Sequence, residues 1–183
     1  MKRTTIYFIR HGDVENTKQV LYGRLKGFPL SVSGRKQADE LKQKFKNKKI
    51  ACVYSSPLLR ATETASPLAR AVSKKVITTK LLLETKSTLE GMPLTRYREL
   101  EPKLHDVWHK SGEKEPVGKV LLRMRRFVFR VLKENSGKTV VAVSHAGPIG
   151  ILRAYYEDKD FNWDYYSKTV LKRAASWKLV LRS

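Results

Sequence analysis

Short strand-like runs alternate with longer, helix-like segments along most of the chain. The runs are rich in β-branched and aromatic residues, and they lie at residues 4–10, 49–56, 139–143 and 175–183. Strands that alternate with helices are typical of α/β proteins, in which helices connect neighbouring parallel strands. The sequence therefore predicts an α/β fold with a largely parallel central sheet.

The helix-like segments show apolar residues at helical spacing. In residues 31–47, Ser31 or Ser33 is placed to cap the helix, and apolar residues recur on one face. Residues 57–72 contain Pro67, which is expected to kink or interrupt that helix because proline lacks a backbone donor. Residues 116–135 form the strongest pattern, with one apolar side made of Val120, Met124, Phe127 and Val131.

Three strand-like runs end abruptly in polar residues. Arg10-His11 follows the first run, the turn at 55–60 follows the second, and Ser144-His145 follows a later one. Ligands of parallel sheets bind at the carboxyl ends of the strands, so these residues are predicted to meet at one edge. Residues 84–116 are less periodic and are predicted to form an excursion over that edge, within a single domain spanning 1–183.

The charge of the chain is strongly positive. It has 38 Lys and Arg against 17 Asp and Glu, a formal net charge of +21. Such a field attracts phosphate esters, nucleotides or nucleic acid, although a solvated basic surface is an equal interpretation. No apolar run approaches the ~20 residues of a membrane span, and the N-terminal run is too short for a signal peptide. A cytoplasmic protein without a membrane partner is expected.

Four ordered motifs carry a family resemblance. The stretches RHGDVEN, GFPLSVSGRKQA, VYSSPLLRATETA and VVAVSHAGPI, within residues 6 to about 150, resemble the histidine phosphatase superfamily. This family includes phosphoglycerate mutases and small phosphatases. The resemblance implies a phosphoglycerate mutase-like, three-layer α/β/α sandwich. It also implies a phosphatase that hydrolyses phosphate monoesters of small molecules without metal or cofactor.

The resemblance assigns roles to residues of these motifs. His11 is implied as the nucleophile, which forms a covalent phosphohistidine that water then hydrolyses. Cations suit the surrounding positions, because the transferring phosphoryl group carries negative charge on three oxygens. RHGDVEN is one residue shorter than the usual run of the family, so Asn16 aligns with the asparagine of that run only through a gap. The implied phosphate-binding residues are Arg10, Arg60, His145, Gly12 and Asn16.

An acidic residue in the middle of the chain is implied as the donor of a proton to the leaving oxygen. Glu84 best matches the Leu-x-Glu start of that family motif, and Glu90 is the next candidate. His145 completes the implied catalytic set, with His11 and the acid.

Three alternatives remain at this point. A phosphoglycerate mutase would use the same site, although mutases of the family are longer between the middle motifs. A nucleic-acid or polyanion binder would use the net charge alone. His105 and His109, four residues apart, resemble a zinc pair, but no third ligand is evident and a metal site is not expected.

Overall fold

A five-stranded sheet forms the centre of the protein, in the order β3-β2-β4-β1-β5. The structure is a computed structural model that describes residues 2–106, 112 and 114–182, without the side chains of 105 and 106. The strands β1 to β4 are parallel, and β5 alone pairs antiparallel, with β1. The predicted α/β fold with a largely parallel sheet is confirmed. The strands are β1 Arg3–Arg10, β2 Ile50–Ser55, β3 Val76–Thr78, β4 Thr139–Ser144 and β5 Ser176–Arg182.

Six α-helices connect or follow the strands in the described part of the chain, and a short 3-10 helix, Lys80–Leu82, follows β3. No helix there is both long and apolar enough to cross a lipid bilayer. The α-helices are α1 Val32–Phe45, α2 Leu59–Ala71, α3 Leu94–Asp106, α4 Val117–Glu134, α5 Ala146–Tyr156 and α6 Trp163–Thr169.

Two apolar cores lie on the two faces of the sheet, which makes the fold the predicted three-layer sandwich. Ile6 and Phe8 of β1 pack with α4 and α5 on one face. Ile9 of the same strand packs with α1 and α2 on the other face. Successive side chains of a strand point to opposite faces, so one run of apolar residues supplies both cores.

Helix α1 begins as its sequence predicts. Ser31 is the N-cap, and its Oγ accepts a hydrogen bond of 3.0 Å from the backbone N–H of Gly34. The predicted apolar face of the helix is buried. The cap fixes where α1 starts, beside the turn that follows β1.

Of the two expected effects of Pro67, a kink or an interruption, the interruption does not occur, because α2 runs through Pro67 to Ala71. Proline inside a helix costs about 3 kcal/mol through a lost hydrogen bond and a clash. The same helix buries an apolar face that includes Ala65 and Leu68, in the core shared with α1. Burial of this face stabilises the helix by a comparable free energy, so packing offsets the local penalty of the proline.

Two glycines allow the turn after β1 to contact α1. A Cβ on Gly34 would lie 2.0 Å from the carbonyl oxygen of Asp13, and a Cβ on Gly12 would lie 2.9 Å from the carbonyl oxygen of Gly34. Both contacts are with backbone, which cannot turn aside as a flexible side chain does. The glycines therefore set the position of the turn that carries His11.

We expect Gly34→Ala to lower the free energy of unfolding by about 3 kcal/mol, the upper range for overpacking a tight site. Urea denaturation followed by circular dichroism measures the change. Gly118→Ala is the matched control, because a Cβ at Gly118 in α4 meets nothing within 4 Å. That control is expected to be neutral or to stabilise by up to about 1 kcal/mol. Equal effects of the two substitutions would contradict the packing argument.

Candidate active site

The ends of β1 and β4 bring two histidines together. The register pairs Arg10 with Ser144, and the backbone N–H of His11 donates to the carbonyl of Ser144 at 3.0 Å. As a result the rings of His11 and His145 lie 5.1 Å apart, both buried. The predicted meeting of these strand ends at one sheet edge is observed.

The imidazole of His11 is held in one tautomer. Its Nδ1 lies 2.7 Å from the carbonyl oxygen of Gly12 and donates to it, since that oxygen can only accept. Nε2 then carries the lone pair, which accepts hydrogen bonds from Arg60 Nε at 3.2 Å and Arg173 Nη1 at 3.1 Å. Burial, followed by the charges of Arg173 and Arg60, holds the pKa of His11 well below its ordinary value. The ring is therefore neutral, with Nε2 available as a nucleophile.

Arg60, at the start of α2, lies between the two histidines and is buried. Its Nη2 donates to the carbonyl of Gly23 at 2.6 Å and to His145 Nδ1 at 3.3 Å. Its guanidinium also lies over the ring of Tyr22, 4.7 Å from the centroid. These contacts fix one cation beside the nucleophilic nitrogen.

His145 is fully buried and is oriented by Ser56. Because Nδ1 accepts from Arg60, Nε2 carries the proton and donates to Ser56 Oγ at 2.8 Å. Burial and the nearby charge of Arg60 lower the pKa of His145 well below its ordinary value. In the structure this ring is a neutral hydrogen-bonding group beside His11.

Arg10 has one hydrogen-bonding atom without a partner in the described part of the chain. Its Nη1 donates to the carbonyl of Leu171 at 2.6 Å, whereas its buried Nε has no partner there. A buried donor without an acceptor costs about 1–3 kcal/mol. Arg10 lines the cleft above His11, where an anion would supply the acceptor.

Arg173 is the site residue that sequence analysis missed. Its Nη1 contacts His11 Nε2, and its Nη2 donates to the hydroxyl of Tyr22 at 2.7 Å. The antiparallel register of β5 pairs Ile9 with Ser176, which places the residues just before β5 beside His11. In a chain with 38 Lys and Arg, nothing local distinguishes this arginine.

Two predicted phosphate-binding residues have other contacts. The backbone N–H of Gly12 donates to Thr64 Oγ1 at 3.0 Å, and its missing Cβ makes room for Gly34 rather than for an anion. The amide of Asn16 donates to the carbonyl of Val20 at 2.8 Å and accepts from the N–H of Val20 at 3.2 Å. Like Arg60 and His145, neither residue is among those that line the cleft. In this structure both residues have contacts that shape loops, and phosphate binding by Gly12 and Asn16 stays a prediction.

The two candidate acids differ in position. Glu84 lines the cleft, and its Oε2 lies 3.9 Å from His145 Nδ1. Its other oxygen accepts from the backbone N–H of Thr85 at 2.8 Å. Glu90 lies outside the cleft lining, and it accepts from the backbone N–H of Arg24 at 2.8 Å. The geometry favours Glu84 as the proton donor.

A pair of arginines holds the backbone of Glu84. Arg24 Nε and Arg123 Nη2 both donate to its carbonyl oxygen, at 2.7 and 3.2 Å. Glu115 forms ion pairs with both arginines, at 2.7 and 3.2 Å. Glu115 therefore bridges the two cations that hold the segment carrying Glu84 and offsets one of their two charges.

The cleft between these groups has a volume of about 290 Å³. Its inner end is formed by Arg10, His11, Glu84 and Arg173, and its outer end by side chains of α3 and α6 and by Lys114. Within the residues the structure describes, no three His, Cys, Asp or Glu side chains form a group that could ligate a metal ion. The pair His105 and His109 lies outside the described side chains.

The sequence was compared with protein families and with known proteins. The family model of the histidine phosphatase superfamily (branch 1) matches residues 6–177. An uncharacterised protein of Mycobacterium tuberculosis is 34% identical over 164 residues, which cover 86% of this chain and 81% of that protein. Phosphoserine phosphatase 1 of Hydrogenobacter thermophilus is 30% identical over 158 residues, 82% of this chain and 74% of that protein.

Solved structures show the same fold at lower identity. A mycobacterial glucosyl-3-phosphoglycerate phosphatase superposes with a TM-score of 0.82 at 22% identity, covering 98% of this chain and 91% of its own. A phosphoglycerate mutase from Bacillus anthracis superposes with a TM-score of 0.81 at 22% identity, covering 99% and 89%. These likenesses concern the fold.

Proposed function

Because the chain belongs to the histidine phosphatase superfamily (branch 1), we propose that it is a metal-independent phosphatase that hydrolyses small phosphate monoesters through His11. One observation carries the proposal. Nε2 of His11 is an unprotonated nitrogen that faces two guanidinium groups, while the proton of the ring is held on Nδ1. A neutral nucleophile among fixed cations is what attack on a dianionic phosphate requires.

The first step transfers the phosphoryl group to the enzyme. The phosphate oxygens take the hydrogen bonds that Arg60 and Arg173 give to Nε2, and Arg10 Nε gains its acceptor. Nε2 then attacks phosphorus as the bond to the ester oxygen breaks. The leaving oxygen receives a proton from Glu84, and the phosphoryl group remains bonded to His11.

The second step releases phosphate. A water molecule attacks the phosphorus of phosphohistidine and gives a proton to the carboxylate of Glu84. The bond between phosphorus and Nε2 breaks, so the nitrogen regains its lone pair and inorganic phosphate leaves. The guanidiniums stabilise the charge of both transition states, since they are already in place before the reaction.

The test of this pathway is the covalent intermediate. Wild-type protein is mixed rapidly with p-nitrophenyl phosphate, quenched, and digested for mass spectrometry. One phosphoryl group is expected on the peptide that contains His11. A phosphoryl group on another side chain, and no phosphoryl group on His11, would contradict the proposal.

We further propose that residues 84–116 form the specificity excursion of a single domain. This segment supplies the outer wall of the cleft, including Tyr97, Arg98 and Lys114. At the inner end, Arg10 and His11 come from the motifs that carry the family resemblance. Such a division lets the phosphate site stay the same while the outer wall selects the organic half of the ester.

Arg173→Ala is expected to lower kcat/KM for p-nitrophenyl phosphate about 10²-fold, because one preorganised cation leaves the transition state. Steady-state assays with increasing substrate measure it, and Arg173→Lys should recover part of the loss. Arg96→Ala is the control, since Arg96 is an exposed residue of α3 that forms an ion pair with Glu99 one turn away. A kcat/KM of Arg173→Ala within twofold of the wild-type value would show that Arg173 does not stabilise the transition state.

A further inference from the structure

Tyr22 contacts both guanidinium groups that face Nε2 of His11. The guanidinium of Arg60 lies over its ring, 4.7 Å from the centroid, and Nη2 of Arg173 donates to its hydroxyl at 2.7 Å. The guanidinium carbon of Arg173 is 5.9 Å from the same centroid. One side chain therefore holds two cations in two different ways, through the face of its ring and through its oxygen.

The two cations lie close together without a counter-charge. Nε of Arg60 and Nη1 of Arg173 are 3.2 and 3.1 Å from the same atom, Nε2 of His11, so the two guanidiniums repel each other. Burial lowers the pKa of Arg60, and the charge of Arg173 acts in the same direction. In the part of the chain that the structure describes, no carboxylate forms an ion pair with either arginine. Their arrangement therefore depends on uncharged groups.

A phenol suits this position better than a carboxylate does. A carboxylate would hold the arginines firmly, but it would cancel part of the charge that a phosphate has to meet, whereas a phenol adds no negative charge. Arg173 also uses different nitrogens for its two contacts, Nη2 for Tyr22 and Nη1 for His11. A phosphate oxygen can therefore take the hydrogen bond from Nη1 while the bond to the phenol is kept.

The phenol is anchored independently of the cations. The backbone N–H of Leu21 donates to the carbonyl of Met92, and the N–H of Gly91 donates to the carbonyl of Leu21, both at 2.8 Å. The ring of Tyr22 packs against that of Phe28, with 5.2 Å between the centroids. A side chain held in this way can impose a position on its neighbours.

We propose that Tyr22 is the positioning residue of the cation pair: its hydroxyl orients Arg173 and its ring orients Arg60 before the phosphate ester binds. The inference rests on the proposed phosphatase activity and adds the residue that preorganises its cations. Donors that are already in place stabilise the transition state without a cost of reorganisation. An arginine released from Tyr22 keeps its charge but loses this advantage, so Tyr22 acts on the reaction through the arginines.

A double-mutant cycle tests the role of the hydroxyl. Tyr22→Phe keeps the ring and is expected to lower kcat/KM for p-nitrophenyl phosphate about tenfold, the effect of one lost hydrogen bond to a charged group. In the Arg173→Ala background the same substitution should change kcat/KM less than about twofold, because the hydroxyl then has no arginine to orient. Tyr155→Phe is the matched control and should keep the wild-type value. Arg125 also lies 4.7 Å from the ring centroid of Tyr155, but on the exposed side of α5.

A second substitution tests the role of the ring. Tyr22→Leu removes the ring together with the hydroxyl and is expected to lower kcat/KM about tenfold below Tyr22→Phe, the effect of a lost cation–π contact in a partly buried site. This further loss should persist in the Arg173→Ala background, since Arg60 is still present there. Circular dichroism shows whether each variant is folded. Equal values for Tyr22→Leu and Tyr22→Phe would overturn the role of the ring.

A tenfold loss from Tyr22→Phe in both backgrounds would show that the hydroxyl acts on the substrate directly, and it would overturn the proposal. A value for Tyr22→Phe within twofold of wild type would overturn it as well. If wild-type protein hydrolyses no ester, the proposed activity fails, and the same cycle is measured as the dissociation constant of inorganic phosphate by calorimetry. A loss of affinity from Tyr22→Phe that requires Arg173 then supports the inference, whereas independent losses or no binding by wild type overturn it.

Discussion

His11→Ala is expected to lower phosphate release from every ester by about 10⁴-fold or more, the scale on which enzymes respond to loss of their nucleophile. Arg60 and Arg173 are cations and cannot replace Nε2 as the nucleophile, and His145 is not among the residues that line the cleft. Steady-state assays on p-nitrophenyl phosphate, sugar phosphates, phosphoglycerates, nucleotides and phosphoamino acids measure the loss. Circular dichroism shows whether the variant is folded.

Two controls accompany this variant. A chelator should leave the wild-type rate unchanged, as expected for chemistry that proceeds on imidazole alone. A coupled mutase assay with a bisphosphoglycerate primer tests whether the acceptor is a second hydroxyl rather than water. A mutase rate that exceeds hydrolysis and requires His11 would keep the nucleophile but replace the proposed reaction. Hydrolysis near the wild-type rate in His11→Ala would reject both the phosphatase and the mutase mechanism through His11.

The sequence predicted that Arg10 and the two histidines meet at one sheet edge, because these residues lie at strand ends. Arg10 is the last residue of β1, and His11 and His145 come directly after β1 and β4; parallel pairing of these neighbouring strands brings such residues together. Arg173 follows no strand. Its place depends on the antiparallel register of β5, which a list of strands in chain order does not reveal.

Gly12 and Asn16 show a second limit of sequence reasoning. Gly12 is needed for its small size, but the neighbour that requires it is Gly34, which is distant in sequence. Asn16 has a polar side chain suited to an anion, yet the chain turns at this point and the amide closes its own loop. A residue type restricts the contacts that a side chain can make, whereas the tertiary fold selects among them. Pro67 shows the same dependence on packing within α2.

Glu84→Gln is expected to produce a loss that depends on the leaving group. An alkyl ester needs a proton on its departing oxygen, so its kcat should fall about 10²- to 10⁴-fold, the usual contribution of a general acid. p-Nitrophenolate leaves without a proton, and the fall for that ester should be much smaller. Rates for a series of esters, plotted against the pKa of the leaving alcohol, measure the dependence.

Glu90→Gln is the matched control for the identity of the acid, since Glu90 accepts from the backbone of Arg24 and lies outside the cleft lining. Glu90→Gln should lower the hydrolysis rates of all esters by the same factor or leave these rates unchanged. A steep dependence on the leaving group in Glu90→Gln, with none in Glu84→Gln, would exchange the two assignments.

We expect the position of the proposed acid, Glu84, to depend on Glu115, and the same series of esters tests this dependence. Without the Glu115 carboxylate, Arg24 and Arg123 are two unpaired cations that repel each other, and the carbonyl of Glu84 loses its fixed donors. In Glu115→Ala the loss of rate should therefore depend on the leaving group as in Glu84→Gln, but less steeply. A uniform loss over all leaving groups would instead show that Glu115 supports the fold in general. The shape of the dependence separates a displaced acid from a destabilised protein, which the size of the loss alone does not.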